Sequence, residues 1–85
     1  MNWNDAAEDL LKSILSQTLR PERDAAEAKI MSRAESIAEA DGKTRVGVET
    51  VIQAWVETTP ESVREDLPRQ MERFGLDPEE YQHLL

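Results

Sequence analysis

Between Pro21 and Gly42 lie twenty consecutive residues without a proline or a glycine, and no other feature of the chain constrains its fold as strongly. Proline at the first position of a helix sacrifices no hydrogen bond, because the first N–H groups have no intrahelical partner. Glu22 and Asp24 follow, where carboxylates complement the positive end of the helix dipole. Gly42 suits the left-handed residue that closes a helix. The run therefore predicts one helix from Pro21 to Ala40 or Asp41, about 30 Å long at 1.5 Å per residue. Its apolar stripe is Ala26, Ile30, Ala34, Ile37 and Ala38, rich in small side chains that let a second helix cross closely. In a chain of 85 residues, a helix of this length is the element that the others cross.

The flanking segments supply those others. Ala7, Leu10, Leu11, Ile14 and Leu15 recur at helical spacing and predict one buried face. Asn4 stands as N-cap, Asp5 and Glu8 fill the first turn, and Trp3 is positioned to staple back near Ala7. After Gly42, Val46 is the one apolar residue of the connection and is expected to plug the core. Val48, Val51, Ile52, Trp55 and Val56 repeat the helical spacing despite their β-branched character. Thr58, Thr59 and Pro60 end that helix.

The remaining third is punctuated by proline. Thr59 and Pro60 predict a helix to about Asp66. Pro68 starts or kinks another, carrying Met71 and Phe74 and stopped by Gly75. Asp77, Pro78, Glu79 and Glu80 read as the start of a last helix with Tyr81, Leu84 and Leu85. The fold class is all-α: a small helical domain over residues 1–56, with an acidic helical extension, 57–85, packed on it. Phe74 and Leu76 are its expected anchors. A body of about 56 residues would be marginal alone, and the extension is expected to cover apolar surface it leaves open. The competing expectation is an arm that docks on a second copy or a partner.

Composition removes several classes of function. The chain has no cysteine, so it holds no disulfide, thiolate metal site or iron–sulfur cluster. Its single histidine, His83, argues against a histidine-based triad or a multi-histidine metal site. The net charge of −8 disfavours nonspecific nucleic-acid binding, which draws most of its affinity from phosphate attraction. Residues 57–85 carry eight acids against three bases, a solubilising surface or a docking face for a basic partner. No apolar run approaches the roughly 20 residues of a membrane span. The opening MNWNDAAED lacks the basic and apolar regions of a signal peptide, so the expected compartment is the cytoplasm.

Residues 3–56 carry a pattern of their own: Trp3-x3-Ala7-x3-Leu11-x2-Ile14, then Arg20, then Ala34-Glu35-x2-Ala38-x3-Gly42-x3-Val46-x2-Glu49-x-Val51-x2-Ala54. This resembles the small C-terminal domain of the light-independent protochlorophyllide reductase B subunit, a domain family that also occurs as short free-standing proteins. The resemblance implies a helical module that docks on a larger redox enzyme. The parent family works through iron–sulfur clusters, which a chain without cysteine cannot ligate. The stretch from Ala38 to Gly42, Thr44 to Val46 and Glu49 to Ala54 is also similar to the helix–strap–helix of a histone fold. That similarity implies pairing through the long helix.

The candidate partner contacts are Lys43, Arg45, Phe74 and Tyr81. Lys43 and Arg45 flank the turn after the long helix, where they either meet an anion or partner or compensate the exposed carbonyls of a helix end. Glu49 fits the free N–H groups of a helix start better than proton transfer. His83 reads as a surface residue. Asp77, Glu79 and Glu80 read as capping residues without calcium-loop spacing. Trp3 and Trp55 lie on core stripes. With no catalytic pair and no phosphate loop, the expectation is a non-catalytic interaction module that needs no cofactor and works through a protein partner or through self-association. The alternative is a histone-fold-like dimerisation protein with a structural or regulatory role.

Overall fold

Four α-helices and one short strand pair organise residues 1–85 of the computed structural model. The helices are α1 (Asp5–Ser16), α2 (Arg20–Ala40), α3 (Val48–Thr58) and α4 (Leu67–Arg73). Single 3-10 segments cover Glu61–Asp66 and Gln82–Leu84. The all-α class predicted from the sequence is the observed one.

The long run folds as a single helix of 21 residues, with α3 as its main packing partner and its buried residues running from Ile30 to Ala38. Ile30, Ala34, Ile37 and Ala38 are buried, and Ala26 is half-buried. Gly42 ends the helix at φ +71°. Around it the Lys43 N–H donates to the Ala38 carbonyl at 2.8 Å and the Gly42 N–H to the Glu39 carbonyl at 3.0 Å, so two carbonyls that the helix leaves free find donors. The same device closes α4. Gly75 adopts φ +79°, and the N–H groups of Leu76 and Gly75 donate to the Met71 and Glu72 carbonyls.

The core face expected of α1 is buried in full. That of α3 is wider than expected, because Thr50 and Ala54 are buried beside Val51, Ile52, Trp55 and Val56. Val46 is fully buried, as its isolation in a polar connection suggested.

The strand pair is what sequence reasoning missed. β1 (Asn2–Trp3) runs parallel to β2 (Arg45–Val46), with Asn2 opposite Arg45 and Trp3 opposite Val46. The Asn4 N–H extends the pairing by donating to the Val46 carbonyl at 3.0 Å. Trp3 sits beside Glu8 and Leu11 of α1 and also reaches past that helix. Its indole Nε1 donates to Glu35 Oε2 at 3.1 Å, fixing the N-terminus to α2. Asn4 occupies the N-cap position, but its side chain makes no capping bond.

The C-terminal third differs from expectation in detail. Thr59 does not cap a helix. Its hydroxyl donates to the Trp55 carbonyl at 2.6 Å, and the segment after Pro60 forms a 3-10 turn without a buried residue. Leu67 and Met71 are the fully buried anchors, one helical turn apart on α4, whereas Phe74 and Leu76 are only half-buried. Asp77 does use its side chain, with Oδ1 accepting from the Glu79 N–H at 3.0 Å, but only a turn and a short 3-10 segment follow. Tyr81 and Leu84 lie three residues apart, so both face the core in a 3-10 turn.

Candidate functional site

Along α2 the burial is uneven. No residue from Arg20 to Lys29 is fully buried, so the N-terminal half of the helix overhangs the edge of the core and touches it through Ala26. Arg23 braces the overhang by donating from Nε to the Thr18 carbonyl at 3.0 Å and from Nη2 to the Ser16 carbonyl at 3.4 Å. Ser16 is the last residue of α1 and Thr18 lies in the link just beyond it, so the cation complements the negative end of the helix dipole.

Beneath the overhang lies an open groove of about 410 Å³. Ile14 of α1, Ala25, Ala26 and Ile30 of α2 and Trp55 of α3 supply its apolar lining. Glu22 and Lys29 are the charged residues among those that line it. Three lining threonines use their hydroxyl protons internally: Thr18 donates to the Ile14 carbonyl, Thr58 to the Ala54 carbonyl and Thr59 to the Trp55 carbonyl. The groove thus offers an apolar wall between one acid and one base, with few free donors. This suits an inserted apolar side chain or helix face better than a small polar ligand.

Beside the groove, Arg33 of α2 grips Glu57 of α3 with two prongs, Nε to Oε2 at 2.9 Å and Nη2 to Oε1 at 3.0 Å. The hydrogen bond from Arg33 holds the Glu57 carboxyl below the usual carboxylate range, and the Arg33 guanidinium is raised in turn.

The structure does not bring the four candidate contacts together. Lys43 and Arg45 are exposed at the opposite end of α2 from the groove. With Asn4, Gly42, Thr44 and Gly47 they line a shallow polar depression. Phe74 and Tyr81 are half-buried and packed on the core. Glu49 is exposed in the first turn of α3, with Oε1 3.3 Å from His83 Nε2, a link across the C-terminus that sequence reasoning did not foresee. No group of three or more His, Asp or Glu side chains is gathered where it could hold a metal ion. Every buried side-chain nitrogen or oxygen has a hydrogen-bond partner. No helix is long and apolar enough to cross a membrane.

The family described as "Protein of unknown function (DUF2621)" matches residues 1–85. The chain belongs to that family. No curated protein matches it, and no solved structure does. Sequence reasoning missed the groove of this DUF2621 chain because its wall is assembled from three helices. Its α2 component was legible as Glu22, Ala25, Ala26 and Lys29 at helical spacing, but nothing local marked that face as open.

Proposed function

We propose that this chain is a small non-catalytic protein-interaction module that docks through the groove beneath the N-terminal half of α2. One observation carries the reading: a groove floored by the buried Ile14, Ile30 and Trp55 and rimmed by the more exposed Ala25 and Ala26 between Glu22 and Lys29. Glu22, Ala25 and Lys29 are exposed along this rim and are available for another protein. The acidic balance of the chain favours a protein over a nucleic acid as that partner. The resemblance of residues 3–56 to the protochlorophyllide reductase domain adds a class of larger partner, a redox enzyme in the cytoplasm.

The experiment is a photo-cross-linking residue at position 25, which lines the groove, incorporated in the source cells. A protein adduct that disappears when Ala26→Arg blocks the groove supports the reading. Absence of any adduct, or an adduct indifferent to Ala26→Arg, overturns it.

A second reading is a dimerisation protein with a structural or regulatory role. It is favoured by the helix, strap and helix formed by α2, β2 and α3, which match the histone-like part of the sequence pattern.

A further inference from the structure

The α2 side of the groove carries a pattern with a symmetry of its own. Glu22, Ala25, Ala26 and Lys29 all line it, at relative positions of zero, three, four and seven along one helical face. Read backwards the spacing is unchanged, while the two ends exchange charge. A helix face of this kind complements a copy of itself laid antiparallel: each Glu22 meets the other copy's Lys29, and the alanines meet in the middle. Asp24 and Glu27 do not line the groove, so their charges stand off this face.

From this we infer that the groove is filled by the same face of a second copy, α2 crossing α2 antiparallel about a two-fold axis at Ala25 and Ala26. This inference rests on the interaction-module reading and specifies the partner. Three further observations support it. Ala25 and Ala26 are small enough to let two helix backbones approach closely. Leu19 is 70% exposed, the most exposed of the large apolar residues, and it sits at the N-cap of α2 next to Thr18, which lines the groove. In the antiparallel register Leu19 falls opposite Ser32 of the other copy, at the margin of the crossing, where a two-fold interface would cover it twice. Glu22, Ala25 and Lys29, exposed on this face, also lack a cover of their own, and a second copy supplies one. The reciprocal acid–base pairs fix the antiparallel register, the role that charges at an interface rim perform better than that of adding affinity.

The test is sedimentation velocity of the full chain over a range of concentrations, with two single variants and their combinations. The wild type should show a concentration-dependent monomer–dimer equilibrium. Glu22→Lys and Lys29→Glu each bring like charges together at both ends of the crossing and should weaken the dimer about ten-fold or more. The double variant restores opposite charges and should recover the dimer. So should an equimolar mixture of the two single variants, which are complementary to each other although each repels itself. That recovery separates the inference from simple damage to the fold, because an unfolded variant is not rescued by mixing. A wild type that stays monomeric up to about 1 mM overturns the inference, since weaker pairing is no specific interface. Single variants that dimerise like the wild type, or a mixture that fails to associate, do the same. The cross-linker at position 25 separates this failure from that of the underlying reading. An adduct with a different protein alone sinks self-pairing and leaves the module reading intact, whereas no adduct sinks both.

Discussion

The rings of Trp55 and Phe74 stand 5.8 Å apart and tilted by 44°. Trp55 is almost wholly buried and forms part of the groove wall, so the C-terminal third of the chain backs the groove through this pair. The separation lies in the range where aromatic rings attract beyond the area they bury. Phe74→Ala removes both the pair and a half-buried ring, and should destabilise the fold by about 2 kcal/mol. In a Trp3→Phe background, which leaves Trp55 as the sole indole, its emission should move to the red as water reaches the ring. Urea unfolding and the fluorescence spectrum check the two effects, and an unchanged spectrum would show that Phe74 does not support the groove wall.

Acid should release the link between α2 and α3. Glu57 is held below the usual carboxylate range, first by the hydrogen bond from Arg33, whereas in the unfolded chain it titrates normally. Its contribution to stability is therefore complete above the ordinary carboxylate pKa and is lost as pH falls through the depressed value. Glu57→Gln should lower the urea midpoint slightly at about pH 7, because the pair is largely exposed, and the gap from wild type should close as pH falls through the depressed value. A gap that persists in acid would assign the loss to packing rather than charge.

Ala34 has no exposed surface on the face of α2 that packs against α3. Ala34→Phe should overpack the crossing and destabilise the fold by about 1–3 kcal/mol. An unchanged melting curve would show that the two helices do not approach there.

Two glycines should respond in opposite ways. An added Cβ at Gly42 meets no atom within 4 Å, so the whole penalty of Gly42→Ala is its left-handed φ of +71°, about 1–2 kcal/mol. Gly47, the N-cap of α3, has φ −102° and ψ 176°, and its added Cβ would lie 3.5 Å from Asn4 Nδ2, an ordinary contact. Gly47→Ser supplies the missing capping oxygen and should stabilise by a few tenths of a kcal/mol. Thermal melts of the pair check the contrast in sign.

The first three helices were legible because their signals are local. Pro21 and Gly42 delimit α2 by backbone geometry alone, and the apolar spacings in α1 and α3 have one periodic solution. The strand pair was not legible, since two residues per strand, one apolar in each, make no pattern. In the last third, Pro68 hid the true start of α4 at Leu67, because proline is equally at home at the second helical position. The emphasis on Phe74 and Leu76 followed from size, whereas depth is decided by the turn spacing of Leu67 and Met71. The groove depends on which face of α2 the other helices leave uncovered, a property of packing and not of any local stretch.

Trp3 and Val46 lie side by side in a pairing that joins residues more than forty positions apart. The order of assembly follows from this. As the chain leaves a ribosome, Asn2 and Trp3 emerge long before the strap that receives them, and α1 and α2 can form while β1 is still unattached. Its docking closes a loop containing both helices, and the entropy of that closure is offset only once β2 and the first turn of α3 are in position. Asn2 and Trp3, made before both helices, are thus among the last of these residues to settle, and their attachment reports that the long helix and the strap beyond it have already come together.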